Sequence, residues 1–190
     1  MLVTKGEAIT LLKPNYTAED YWALPDGVRA ELIDGELWDL AAPSRLHQEV
    51  VSVLTKRMGN YVDDHGGSCK VYPAPFAVNL FGDDSTFVEP DLSLVCDRDK
   101  LSDRGCEGAP DLVLEVVSPS NPEMDLVSKL NLYREAGVRE YWICDPREER
   151  TLVYTFGEDS PLEIYPFAQA ARSVILPGFE VNFAEIVAGM

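Results

Sequence analysis

Two apolar, strand-like runs, each interrupted by acidic residues, constrain the fold of this chain more than any other feature. Asp91 lies in the run Phe-Val-Glu-Pro-Asp-Leu-Ser-Leu-Val (87–95), and Glu115 lies in Asp-Leu-Val-Leu-Glu-Val-Val (111–117). Both runs predict buried strands, where a carboxylate is costly unless a cation neutralises it. We therefore expect the two runs to be neighbouring strands whose acids share a divalent metal ion.

The chain after Glu115 predicts a second strand that is parallel to the first. The Glu115 strand is apolar on both faces apart from the acid, which is typical of a central strand covered on both sides. A helix over about 123–136 should end at Gly137, and residues 140–146 form the next strand. Because a helical crossover joins parallel strands, these two strands should run in the same direction.

The first part of the chain predicts a helix, a hairpin and a longer helix. Residues 17–24 form a short helix, and Asp34-Gly35 is a favoured two-residue turn within a hairpin over 29–40. Apolar residues at helical spacing predict an amphipathic helix over about 45–63.

The rest of the chain predicts mainly strands and loops. Residues 69–80 form an edge strand broken by two prolines, and residues 97–110 form a polar loop. Short strands over 152–156 and 162–165 are expected to pair, within a C-terminal region of strands and turns.

These elements predict a single mixed α/β domain over residues 1–190, with a twisted mixed β-sheet flanked by helices. The N-terminal helix and hairpin occupy 16–40, the core 44–146 and the C-terminal strands 151–190. No apolar run approaches the roughly 18 residues of a membrane span, and no signal-peptide core is present. We therefore expect a cytoplasmic protein with no membrane partner.

Charge and cysteine content limit the classes of ligand and site. Acids number 33 and bases 16, a net charge of −17. This excess opposes nucleic-acid binding, which depends on Lys and Arg contacts to phosphate, unless the bases cluster or a bound metal supplies positive charge. The chain has no Cys-x-x-Cys pair, so a structural zinc site is not expected. Cys69, Cys96 and Cys144 are expected to be reduced core thiols.

Lys129 is the cation best placed to join the two acids. It lies beside the inward stripe of the helix after Glu115, so it can reach a metal-bound water or a phosphate oxygen. Alternatively, its stem packs and its ammonium group extends to solvent. Asp91, Glu115 and Lys129, in that order on strand, strand and helix, predict a site that hydrolyses a phosphodiester with Mg²⁺ or Mn²⁺.

Two further residues are candidates for the same site. Glu31, on a hairpin strand, could reach the same metal ion or could balance Arg29. His47, in the first turn of the long helix, could contact a scissile phosphate or orient a water, or it could be a surface or capping residue.

Several segments together resemble a known family. The chain is similar, over roughly residues 16–180, to the Uma-type family of putative endonucleases in the PD-(D/E)xK, or restriction-endonuclease-like, superfamily. The matching segments are Tyr-x-x-x-Pro-Asp-Gly near the start, Glu31-Leu-Ile-Asp-Gly-Glu36, His47-Gln48, Glu89-Pro90-Asp91, Ala109-Pro-Asp-Leu-Val-Leu-Glu-Val-Val-Ser-Pro-Ser120 and Lys129-x-x-x-Tyr133-x-x-x-Gly137-Val-x-Glu140-Tyr-Trp-x-x-Asp145-Pro146.

The resemblance implies a restriction-endonuclease-like core and a Mg²⁺ or Mn²⁺ site at Asp91 and Glu115, with Glu31 as an added acid. The superfamily's lysine usually follows the strand glutamate by two residues, where this chain has Val117. Lys129 would then be its substitute, and a fold whose lysine does not reach back would be catalytically inactive.

Three hypotheses follow for the function. The favoured one is a metal-dependent endonuclease that hydrolyses DNA with a metal-activated water, for which a homodimer formed through exposed C-terminal strands would suit the cutting of both strands. The second is an inactive nuclease fold that acts as a binding or assembly module. The third is a hydrolase of a smaller phosphate ester: a basic groove beside Asp91 and Glu115 would favour a polymer, and a narrow acidic pocket the small ester.

Overall fold

The computed structural model describes residues 15–117, 128–157 and 161–188, in which helices flank two mixed β-sheets. The helices are α1 (Ala18–Trp22), α2 (Arg45–His65), α3 (Lys129–Ala136) and α4 (Phe183–Ala188). Sheet I has the spatial order β2 (Glu36–Asp39), β1 (Ala30–Ile33), β5 (Phe87–Val88), β4 (Val78–Asn79), β8 (Gly105–Glu107), β7 (Leu101–Ser102). Sheet II has the order β12 (Leu162–Pro166), β11 (Arg150–Thr155), β10 (Glu140–Asp145), β9 (Leu112–Val116), β6 (Leu92–Val95), β3 (Lys70–Pro73). The strands β13 (Ala171–Arg172) and β14 (Glu180–Val181) pair separately.

Local sequence signals account for the N-terminal elements. The Thr17 side chain accepts from the Asp20 backbone while Asp20 accepts from the Thr17 backbone, a capping box that starts α1. Asp34 and Gly35 both have positive φ, 52° and 76°, which matches the type I′ turn expected between β1 and β2. The predicted helix and hairpin are thus confirmed.

Sheet II carries the main core, and β9 lies in its interior. β9 is parallel to β10 and antiparallel to β6, as predicted for the Glu115 strand. One face packs under α2, through Leu54 and Met58, and the other under α3, through Tyr133. The side chains of β9 are buried along its whole length, which explains its apolar sequence.

The run 87–95 is divided between the sheets, contrary to the expectation of one strand. Residues 87–88 pair in sheet I and residues 92–95 in sheet II. The chain crosses between the sheets at Glu89-Pro90-Asp91, where Pro90 has no N–H to contribute to either ladder. Residues 69–80 cross in the same way, between edge strand β3 and β4.

The prediction of a polar loop over residues 97–110 was wrong in part, because these residues include the hairpin β7–β8 at the edge of sheet I. Gly105 allows β8 to lie against the preceding strand region: its φ is +144°, and a Cβ there would lie 2.0 Å from the Ala77 carbonyl oxygen. The amide of Cys106 donates to that same carbonyl. The polar residues of this segment favour a loop, and the contact with Ala77 that makes it a strand forms only in the folded chain.

Two cysteines differ from the prediction. Cys69 and Cys96 form a disulfide at the end of the β3–β6 ladder, next to the paired residues Lys70 and Val95. The expectation of reduced thiols at these positions was wrong, because antiparallel pairing brings together residues that are 27 apart in the sequence. Cys144 is a free, buried thiol as predicted.

The helices α3 and α4 differ from the prediction in their extent or their presence. The helix expected over 123–136 is described from Lys129 onward, and its predicted first residues lie outside the described ranges. Gly137 ends it in a left-handed conformation, as expected. The C-terminal helix α4 was not predicted. None of the helices in the described ranges combines the length and apolarity needed to cross a membrane.

Candidate active site

The five candidate residues line one cavity of about 490 Å³, beside the crossing from β5 to β6 and the start of α2. They are Glu31, His47, Asp91, Glu115 and Lys129. These residues come from a hairpin, two helices and the two long runs of the sequence, so the fold brings together side chains that lie up to 98 residues apart.

Lys129 lies between two of the acids. Its Nζ is 2.8 Å from Oε1 of Glu115 and 2.9 Å from Oε1 of Glu31. Lys129 is 4 % exposed, as is Glu115, and Glu31 is 2 % exposed. The ammonium group therefore does not extend to solvent; it neutralises part of a buried acidic pair.

Tyr133 completes this arrangement and was missed as a site residue. Its hydroxyl donates to Oε1 of Glu115 over 2.7 Å, on the oxygen that also accepts from Lys129. Burial, and then the negative charge of Glu115, raise the pKa of Tyr133 well above its usual value. The signal was its position one turn after Lys129 on the same helix face.

Asp91 contacts both β9 and the start of α2. Its Oδ2 accepts from the Val116 amide over 2.7 Å and lies 2.9 Å from Nε2 of His47. The β6–β9 ladder ends at the pair Leu92–Leu114, so the Asp91 carboxylate provides the acceptor for the next strand amide. His47 is held in place because its own amide donates to the Ser44 side chain at the start of α2.

Glu31 does not balance Arg29, one of its two predicted alternatives. Arg29 pairs with Glu89 over 2.7 Å, and the Tyr21 hydroxyl donates to the other oxygen of Glu89. Glu31 accepts the Glu89 amide over 2.9 Å on the oxygen that also contacts Lys129. Arg29 thus pairs with Glu89, next to the site, and not with Glu31.

In Glu31 and Asp91 alike, the hydrogen bonds within the described residues fall on one carboxylate oxygen and leave the other available. Oε1 of Glu31 and Oδ2 of Asp91 each contact two donors. Among the described residues, Oε2 of Glu31 and Oδ1 of Asp91 have no hydrogen-bond partner. These oxygens belong to side chains that line the cavity, so they are candidates to bind a ligand.

The charge of the cavity is suited to a cation. Five carboxylates and three permanent cations line it, a formal charge of −2. In residues 15–117, 128–157 and 161–188, no three His, Cys, Asp or Glu side chains are grouped to hold a metal ion. One or two carboxylates together with several waters are the ligands with which Mg²⁺ is usually bound in proteins, and the carboxylates of Asp91 and Glu115 are of this type.

The comparisons with known proteins agree with this fold. A family model described as Uma2, putative restriction endonuclease, matches residues 18–185. The chain belongs to the Uma2 family. The family predicted from the sequence motifs is therefore confirmed.

Relatives of this Uma2 chain include one curated protein and one solved structure. The uncharacterized protein slr1290 of Synechocystis sp. is 28 % identical over 175 residues, which cover 90 % of each chain. A crystal structure of a putative nuclease belonging to DUF820 from Anabaena variabilis matches with a TM-score of 0.73 at 18 % identity, covering 91 % of this chain and 98 % of that one. This second likeness, at 18 % identity, shows a shared fold and agrees with the predicted mixed α/β architecture of sheets flanked by helices.

Proposed function

We propose that this Uma2 protein is a Mg²⁺- or Mn²⁺-dependent endonuclease that hydrolyses phosphodiester bonds in DNA. The observation that supports this most directly is the buried contact of Lys129 with Glu31 and Glu115, in the cavity that also contains Asp91. An ammonium group that is held among carboxylates beside an open cavity can stabilise negative charge on a phosphate.

Each residue has a defined part in this proposal. Asp91 and Glu115 would hold the divalent ion, which when bound supplies an activated water and neutralises phosphate charge. Lys129 stabilises the charge that grows on the phosphate oxygens as water attacks phosphorus and the ester P–O bond breaks. Glu31 holds the Lys129 ammonium group, and His47 fixes the orientation of the Asp91 carboxylate.

Cleavage of supercoiled plasmid with Mg²⁺ or Mn²⁺ tests the proposal. The wild-type protein should nick or linearise the plasmid, and Asp91→Ala should abolish cleavage. Asp63→Ala, which removes an exposed acid from the far part of α2, is the matched control and should cleave normally. Cleavage that persists in Asp91→Ala would refute the site.

An inactive binding module remains the second candidate, because Val117 occupies the usual lysine position and the net charge is −17. It predicts no cleavage with any divalent metal, together with partner binding that Asp91→Ala leaves unchanged.

A hydrolase of a smaller phosphate ester is the third candidate. The cavity has a formal charge of −2 and is not a basic groove, which favours this candidate over a protein that binds a long duplex. Hydrolysis of bis(p-nitrophenyl) phosphate at a rate much above that of any oligonucleotide would support it.

A homodimer is part of the proposal for cutting both strands. The edge strand β12 leaves Leu162 and Ile164 exposed, which supports an interface there. Light scattering during size-exclusion chromatography, with Ile164→Asp as the variant, measures whether a dimer forms through this strand.

A further inference from the structure

Trp38 is an exposed aromatic residue beside the site. It lies on β2 directly opposite Glu31 on β1, so the two side chains share one face of sheet I. Trp38 is 39 % exposed and lines the cavity. Within the described residues its indole has neither a ring partner nor a hydrogen-bond partner.

Trp22 provides an internal comparison, because it is 40 % exposed but is packed differently. Its ring contacts Tyr21 and Phe87 edge-on, and the Arg104 guanidinium lies 5.2 Å from the ring centroid. Trp22 does not line the cavity. The partly exposed ring of Trp22 thus has packing partners within the fold, whereas the ring of Trp38 has none among the described residues.

Beyond Asp39, the wall that continues from Trp38 is apolar, in contrast to the carboxylates on the other side of the cavity. Leu40, Ala41, Ala42 and Pro43 line this part of the cavity in a segment without regular secondary structure. The cavity therefore joins a surface suited to a flat, apolar group with a carboxylate site suited to a metal-bound phosphate. A nucleotide has both groups, a base and a phosphate.

The cavity has the size of a small-ligand site. Its volume of about 490 Å³ lies within the range of roughly 300–1,000 Å³ typical of pockets that enclose a small molecule, so it can take in one nucleotide but not a whole duplex. A chain with 33 acids and 16 bases also has few cations for the extended phosphate contacts on which duplex binding depends. One unpaired nucleotide, by contrast, needs a single phosphate position and a stacking surface.

We infer that the cavity binds an unpaired nucleotide of a single-stranded nucleic acid, with the base stacked on Trp38 and the phosphate beside Asp91 and Glu115. The placement of the phosphate rests on the proposed function, whereas the stacking on Trp38 does not. Trp38 is thus a substrate-binding residue that selects unpaired strands.

Fluorescence anisotropy with a labelled oligothymidylate tests this inference without requiring cleavage. The full chain is measured with Ca²⁺ in place of Mg²⁺, against the single strand and against the same strand annealed to oligoadenylate. The single strand should bind more tightly. Trp38→Ala should weaken its binding by roughly 5- to 150-fold, the range for losing one stacked base, and Trp38→Phe should retain most of the affinity.

Trp22→Ala is the matched control and should leave affinity for the single strand unchanged. Equal binding of duplex and single strand, or unchanged binding in a folded Trp38→Ala variant, would overturn the inference. Binding that depends on Trp38 without cleavage in Mg²⁺ or Mn²⁺ would support the inference and reject the nuclease. Plasmid cleavage that Asp91→Ala abolishes and Trp38→Ala leaves unchanged would support the nuclease and reject the inference.

Discussion

The ammonium group of Lys129 lies 2.8 Å from Oε1 of Glu115, although the lysine is on a helix and the glutamate on a central strand 14 residues earlier. Glu115 and Glu31 are both buried, and both contact this one cation. The contact thus brings a lysine to the strand glutamate, although the chain has no lysine at the usual position two residues after that glutamate.

Removing Lys129 should destabilise the protein as well as inactivate it. Lys129→Met leaves two buried carboxylates without their cation, and breaking a buried pair costs about 3–5 kcal/mol. Urea denaturation should report this loss, while Lys56→Met on the exposed side of α2 should change little. Adding Glu31→Gln to Lys129→Met should recover part of the stability. A loss of less than about 1 kcal/mol of unfolding free energy in Lys129→Met alone would show that the contact is weak.

Tyr133 should make stability depend on high pH. Because burial and Glu115 raise its pKa in the folded protein, the unfolded chain releases the tyrosine proton first, above about pH 10. Its contribution is full below that pH and falls by about 1.4 kcal/mol for each further pH unit. Tyr133→Phe should be less stable than wild type at neutral pH by about 1–3 kcal/mol, since Glu115 loses a donor.

Urea midpoints at about pH 8 and about pH 11 test the tyrosine prediction, because the wild-type midpoint should fall more steeply than that of Tyr133→Phe. Tyr21, whose pKa is also raised by burial and by Glu89, should account for part of the remaining decline. Parallel declines in the two proteins would contradict a buried, neutral Tyr133 beside Glu115.

His47 should matter for metal affinity rather than for folding. It contacts the Asp91 oxygen that also accepts from the Val116 amide, so it sets the direction of the carboxylate. Changing a residue that orients a metal-binding group typically weakens metal affinity about 10- to 100-fold. Calorimetric titration with Mn²⁺ should show this loss for His47→Ala.

The chain's other histidine provides the control for this titration. His65 stacks on Tyr61 at the far end of α2, so His65→Ala should bind Mn²⁺ with unchanged affinity. Equal affinities for His47→Ala and wild type would remove His47 from the site.

The disulfide should stabilise the edge of sheet II. A cross-link between residues 27 apart contributes about 3.5 kcal/mol by restricting the unfolded chain. Reduction, or the variant Cys69→Ser/Cys96→Ser, should lower the melting temperature. Under denaturing, non-reducing conditions a thiol assay should count two free cysteines, Cys106 and Cys144, and four after reduction; four without reductant would contradict the bond.

The elements that the sequence predicted well are those whose signals are local. The capping box at Thr17, the Asp34-Gly35 turn and the apolar Glu115 run each depend on residues within a few positions of one another. The division of residues 87–95 between two sheets was not predictable in this way, because both halves have strand-like sequences and only their different partners separate them.

By itself, the sequence determined the family, the helices α1 and α2 with the hairpin between them, and the presence of acids where burial makes a partner necessary. Only the tertiary structure decided the partners: Glu31 contacts Lys129 rather than Arg29, Cys69 bonds to Cys96, and Trp38 lies opposite Glu31 at an open cavity. The physical reason is range. Propensities and turns act over a few residues, whereas an ion pair between positions 98 residues apart forms only after sheets and helices have packed.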